Sequence, residues 1–86
     1  MPQTILATAR KRAKNIGVTV NPSTRKNKKL DVFDSKGQKV ASIGDLRYSD
    51  YLQHKDDERR RLYKLRHEKF RNIKGSASYY ADRILW

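Results

Sequence analysis

Three short runs in the first half of the chain predict β-strands. Residues 18–20 alternate between apolar and polar side chains, as a strand with one buried face does, and residues 30–34 and 39–43 are runs with apolar residues on either side of a turn. A turn lies between the second and third runs, and its Gly37 is suited to a positive φ angle. We therefore predict a three-stranded antiparallel meander, in which the second and third strands form a hairpin.

The second half of the chain changes to a helical pattern. Acidic residues 56–58 come first and seven Lys or Arg follow, an order that complements the dipole of a helix. Tyr63, His67 and Phe70 have the i, i+4, i+7 spacing that places side chains on one helix face. These features predict a main helix over residues 56–71 with a broad and imperfect apolar stripe.

A short C-terminal helix is predicted next, with Gly75 ending the preceding segment and Ser76 as N-cap. The predicted fold class is α+β: a three-stranded antiparallel sheet with one main helix and a short C-terminal helix, preceded by a basic N-terminal arm. We place the arm at residues 1–17 and a single small domain at residues 18–86, because 86 residues make one domain at most.

Charge is distributed unevenly along the chain. The net charge is +12, and the first 30 residues hold eight Lys or Arg but no Asp or Glu. Such a field attracts nucleic acid, an anionic membrane or an acidic protein surface. The arm is either a disordered tail or a segment that becomes ordered on a partner. Ile5 and Leu6 favour the second alternative, since a tail without a docking role has no need of them.

Three basic clusters are candidates for binding nucleic acid or another polyanion. They lie in the arm, in the loop after the first strand and on the main helix, and the selected residues are Arg10, Lys11, Arg12, Lys14, Arg25, Lys26, Lys28, Lys29, Arg59, Arg60 and Lys64. Lys and Arg neutralise phosphates without reading sequence. For the helix cluster, a solvated face with ion pairs is an equally good interpretation.

Aromatic and apolar residues near the two ends suggest a second kind of contact. Trp86 either packs on the domain's own sheet or anchors the chain to a neighbouring protein, and Ile5 and Leu6 are further candidate anchors. The five tyrosines have rings that suit stacking on unpaired bases, but in so small a core we interpret most of them as packing residues.

No residue pattern points to catalysis or to a cofactor. The chain has no Cys, no phosphate-binding glycine loop and no evident nucleophile–base pair. His54, Asp56 and His67 make only a weak case for a metal site, because a fourth ligand is lacking. No run approaches the roughly 18 apolar residues of a transmembrane helix. We expect a protein that is not an enzyme, holds no metal or cofactor and does not enter a membrane.

From Val18 onward the sequence resembles an uncharacterised family of small basic proteins encoded by large DNA viruses and some tailed phages. The resemblance is carried by 18–26 (VTVNPSTRK), 48–51 (YSDY), 54–56 (HKD), 58–60 (ERR), Tyr63, 66–67 (RH) and 84–86 (ILW). It implies a viral context and supplies no catalytic residues. The first 17 residues lie outside it.

Two functional classes follow. In the first, the chain is a minor component of the virion that docks on capsid, portal or tail proteins and faces nucleic acid. In the second, it binds DNA or RNA without sequence specificity through phosphate contacts. The resemblance, together with the apolar ends, ranks the virion role first. The expected location is the virion, with passage through the host cytoplasm or nucleus during infection.

Overall fold

The computed structural model describes residues 3–86, which form five helices and one sheet. The helices are α1 (Gln3–Asn15), α2 (Tyr51–His54), α3 (Asp57–Arg66), α4 (Glu68–Arg71) and α5 (Ala77–Ile84), and the strands are β1 (Thr19–Pro22), β2 (Lys28–Phe33) and β3 (Lys39–Asp45). This is the predicted α+β class. No helix in this part of the chain is long and apolar enough to cross a membrane.

The sheet is an antiparallel meander in the order β1-β2-β3, which confirms the predicted hairpin. Val20 lies opposite Val32, and Leu30 lies opposite Ile43. Because side chains alternate between the two faces of a strand, this register places the four apolar residues on one face. Gly37 has the predicted positive φ, 79°.

The core lies on this apolar face and draws on both ends of the chain. Leu30 and Val32 are fully buried, as are Ala9 of α1 and Ile84 of α5, and all four belong to one cluster. The small side chains of α1 allow its backbone to approach the sheet closely. The core therefore depends on two helices that are remote in sequence.

The N-terminal segment differs from the predicted arm. Most of residues 1–17 form α1, in which Ala9 and Ala13 are completely buried. Ile5 and Leu6 are half-buried and pack against the same core cluster. The segment is thus part of the folded body, and its apolar residues cover this chain's own sheet. Its two first residues lie outside the described part.

The predicted main helix is interrupted at His67. Asp56 caps α3 by accepting hydrogen bonds from the amides of Glu58 and Arg59, and α4 begins one residue after the interruption. Tyr63 is the buried residue of α3, whereas Phe70 is half-exposed. Of the three residues expected on one buried face, Tyr63, His67 and Phe70, only Tyr63 is buried.

Asp82 joins the C-terminal helices to one another. This buried carboxylate accepts a hydrogen bond from Lys64 Nζ at 2.8 Å and another from Arg83, and Arg71 lies 3.8 Å away. Burial would raise the pKa of Asp82, but these cations outweigh it and lower the pKa. As predicted, Ser76 caps α5 by accepting from the Tyr79 amide.

Candidate nucleic-acid interface

The carboxylates of the described chain are all engaged within the molecule, and most of its cations are not. Six of the nine acids form ion pairs. Asp34 and Asp56 accept from main-chain amides, and Asp57 accepts from the Tyr51 hydroxyl. Those ion pairs use seven of the 21 Lys and Arg side chains, so fourteen have no carboxylate partner among residues 3–86. The uncompensated positive charge remains available to a partner.

A groove of about 800 Å³ runs between α3, the end of β3 and the C-terminus. We call it the α3 groove. One wall is a face of α3 on which Arg59, Leu62 and Arg66 follow each other at helical spacing. Tyr48, which follows β3 and is 70% exposed, also lines the groove. The volume of the α3 groove falls within the range of about 300–1,000 Å³ that small-molecule sites occupy.

An aromatic stack forms one end of the α3 groove. The ring of Tyr63 lies 4.1 Å from the Trp86 ring and 4.2 Å from the His67 ring, measured between centroids. Because two rings cannot stack on the same face of Tyr63 at such short distances, Tyr63 lies between Trp86 and His67. Burial raises the pKa of Tyr63 to about 12, so its hydroxyl stays neutral in any physiological setting.

The floor of the α3 groove contains a buried ion pair. Lys29 Nζ donates to Asp50 Oδ2 at 2.7 Å and to Gln53 Oε1 at 2.6 Å. Both charged side chains are about 5% exposed or less. Gln53 Oε1 also accepts from the Asp50 amide. The cation and the acid at the floor therefore neutralise each other, and the free charge of the groove lies on its wall.

The basic loop between β1 and β2 continues from the rim of the α3 groove. The Leu46 amide donates to the Asn27 carbonyl oxygen at 2.9 Å, and Lys28 lies opposite Asp45 in the sheet. Arg25 and Lys26 in this loop are exposed and without a carboxylate partner in the described structure. The loop and the groove thus form adjoining parts of one surface.

Helix α1 contributes a second basic surface beside β1. Arg10 donates to the Val20 carbonyl and to Asn21 Oδ1, which ties the helix to the strand. Lys11 and Lys14 are exposed. Arg12 is half-buried, and its burial together with the neighbouring Arg60 lowers its pKa.

Besides Arg10, which is bonded to β1, three more of the predicted binding residues are committed to intramolecular contacts. Lys29 is buried with Asp50, so the prediction that it contacts a polyanion is wrong for this fold. Lys64 is bonded to Asp82. Arg60 donates to the Trp86 carbonyl oxygen at 2.8 Å, and its guanidinium lies 4.8 Å from the Tyr51 ring centroid.

The candidate anchors also face the chain itself. Trp86 is stacked on Tyr63 and packs against the core cluster, which agrees with the packing alternative. Ile5 and Leu6 pack against the same cluster. The residues on which docking to a neighbouring protein was expected to depend are thus used in folding.

The weak metal candidates are not brought together. His54 Nδ1 accepts from the Asp56 amide at 2.9 Å, whereas His67 stacks on Tyr63. Within residues 3–86 no group of three His, Cys, Asp or Glu has an arrangement that could hold a metal ion.

Two residues of the candidate interface are absent from the residues selected by sequence. Arg66 belongs to the basic cluster of the main helix but was not selected, although its spacing from Arg59 places both on one face of α3. Tyr48 was interpreted as a packing residue, because only the tertiary structure shows that its ring is exposed.

Comparison with curated proteins and with solved structures finds no match. The family of unknown function DUF5754 matches residues 18–67. This segment contains the whole sheet, the basic loop, α2 and α3, and therefore most of the residues that form the α3 groove. Because the match covers more than half of the 86 residues, this chain belongs to the DUF5754 family.

Proposed function

We propose that this protein is a non-enzymatic, sequence-nonspecific nucleic-acid-binding protein that acts through phosphate contacts. The observation that carries the proposal is the excess of cations without an acidic partner, in a molecule whose carboxylates are already engaged. A phosphate backbone is the polyanion that such a surface neutralises with a gain in counterion entropy.

The geometry favours the surface formed by the basic loop and the α3 groove. Arg25 and Lys26 are exposed in the loop, and Arg59 and Arg66 are exposed on the groove wall. The hydrogen bond from the Leu46 amide to the Asn27 carbonyl oxygen holds the basic loop beside the segment that leads into the groove. Lys11 and Lys14 on α1 supply further positive charge beside β1, where they strengthen attraction at long range.

The viral context gives this proposal a setting. The resemblance to virus-encoded proteins supports packaged viral DNA as the nucleic acid and a place in the particle beside capsid, portal or tail proteins. This part of the proposal rests on the resemblance, since Ile5, Leu6 and Trp86 pack on the chain's own core. Quantitative mass spectrometry of purified particles tests it: a fixed copy number supports the virion role, and absence from particles contradicts it.

Salt-dependent binding tests the proposed function itself. Fluorescence anisotropy with a labelled DNA duplex, at salt concentrations of about 50 to 200 mM, should give a linear decrease of log K with log salt. Arg25→Ser/Lys26→Ser should flatten the slope by about 0.9 for each lost phosphate contact. No binding by the unmodified protein at the lowest salt would overturn the proposal.

A matched variant controls for the loss of charge alone. Lys36→Ser/Lys74→Ser also removes two positive charges. Lys36 lies in the turn after β2, at the opposite end of the meander from the basic loop. This control should keep the slope of the unmodified protein. An equal loss in both variants would contradict the placement of the interface at the loop and groove.

A further inference from the structure

We infer that the α3 groove binds unpaired nucleotides, so that the protein prefers single-stranded to duplex nucleic acid. This inference rests on the proposed function and specifies the form of nucleic acid. Its basis is that an exposed aromatic ring, a concave site and two unpaired guanidinium groups occur together.

The first step is the exposure of Tyr48. Its ring is 70% accessible at the rim of the groove, although the side chain is large and largely apolar. A base that is not paired offers a π-face to such a ring, and stacking of this kind tolerates every sequence. A base inside a duplex is stacked on its neighbours and has no free face to offer.

The second step is the position of the free charge. Arg59 and Arg66 are seven residues apart on α3, which corresponds to about 10 Å along the helix axis. Both line the groove and neither has a carboxylate partner within the described chain. Guanidinium groups bind phosphates in a bidentate manner. A strand that places a base against Tyr48 can therefore reach cations that line the same groove.

The third step is that the acids of the groove are paired with cations, so they do not repel a bound anion. Asp50 is paired with Lys29 at 2.7 Å, and Asp45 is paired with Arg47 at 2.8 Å. Leu62, 44% exposed on the α3 wall, adds apolar surface between the two arginines. The site thus combines apolar contact with uncompensated positive charge, which matches the alternating chemistry of bases and phosphates.

The fourth step is the direction in which a strand continues. The groove opens beside the basic loop, where the Asn27 carbonyl bonds the Leu46 amide and Lys28 lies opposite Asp45. Arg25 and Lys26 then follow along the same surface. A strand of several nucleotides can thereby contact cations of both the groove and the basic loop.

The test compares an oligothymidylate with a DNA duplex of equal charge, by fluorescence anisotropy at one salt concentration. We expect the single strand to bind more tightly. Tyr48→Ala should weaken binding of the oligothymidylate by about 5-fold or more, the loss typical of one stacked base, and leave duplex binding unchanged. Tyr48→Phe is the matched control, because it keeps the ring and should bind as the unmodified protein does.

Trp86 reports on the occupant of the groove. It is the single tryptophan of the chain and it lines the groove, so a bound base should change its emission. Arg59→Ser/Arg66→Ser should abolish that change, whereas Lys36→Ser/Lys74→Ser should preserve it. Polyglutamate serves as a protein-like polyanion and should leave the emission unchanged.

The inference and the proposed function fail in different ways. Equal binding of single strand and duplex, with no effect of Tyr48→Ala, would overturn the inference and leave phosphate binding intact. A change of Trp86 emission by polyglutamate equal to that by the oligothymidylate would also overturn it, because the groove would then respond to charge alone. Loss of binding to both nucleic acids at low salt would overturn the proposed function.

Discussion

The ring of Tyr63 lies parallel to the indole of Trp86, with 4.1 Å between their centroids and an angle of 3° between their planes. Arg60 reinforces this contact from the same helix by donating to the Trp86 carbonyl oxygen. Trp86 is therefore fixed to α3 by its side chain and by its main chain.

Trp86→Ala should destabilise the monomer by about 3 kcal/mol, the loss typical of truncating a large aromatic side chain that packs on a core. Denaturant unfolding followed by circular dichroism measures this change in the free energy of unfolding. Leu65→Ala is the control, because Leu65 is 58% exposed and its removal should change stability by less than about 0.5 kcal/mol. An unchanged unfolding midpoint for Trp86→Ala would show that the stack contributes nothing to the fold.

Lys29→Met should destabilise the protein by about 3–5 kcal/mol, because it leaves the buried Asp50 carboxylate without its partner. The double variant Lys29→Met/Asp50→Asn removes both charges and should recover more than half of that loss. The free energies of unfolding of the two single variants and the double variant form a cycle that isolates the pair. If Lys29→Met alone were neutral, the buried ion pair would have no role in holding the floor of the α3 groove.

Stability should fall in acid because of Asp31. Burial would raise the pKa of Asp31, but hydrogen bonds from Ser23 and Ser42 and the nearby Lys39 outweigh it and lower the pKa to about 2. The pKa in the unfolded chain is about 3.9. The stabilisation is therefore complete above that value and is lost as the pH falls from about 4 to about 2.

Asp31→Asn should weaken this dependence, with the lowered pKa of Asp82 keeping part of it, and should cost about 2 kcal/mol at neutral pH because hydrogen bonds to a charged acceptor are lost. Thermal unfolding at pH values between about 2 and 7 measures both effects. Asp34→Asn is the control, because Asp34 accepts from amides in an exposed turn. A variant Asp31→Asn with the acid sensitivity of the unmodified protein would contradict the assignment to this carboxylate.

The local elements of this fold follow from local sequence. The hairpin was predictable because two short runs with apolar residues flank a turn with Gly37, and the cap of α5 was predictable because Ser76 precedes a helical pattern. The boundaries of the strands were less predictable. Strand β2 begins at Lys28, although two adjacent lysines are typical of a solvated loop. Lys29 is buried because Asp50, 21 residues later, supplies its partner.

The candidate site was only partly predictable for the same reason. The basic loop and Arg59 follow from composition, since the first 30 residues contain no Asp or Glu. The α3 groove requires Trp86, Tyr48 and α3 to meet, and such long-range proximity is not encoded in any short window. The burial of Ala9 and Ala13, which turns the predicted arm into part of the core, likewise depends on contacts with α5 and β1.

The helices that close the core have a consequence for how the family segment can be handled in isolation. Residues 18–67 include the sheet but neither α1 nor α5. A fragment cut to those limits would expose Val20, Leu30 and Val32 to water and lose the partner of Tyr63. The segment that matches the family and the part of this chain that closes the core thus have different borders.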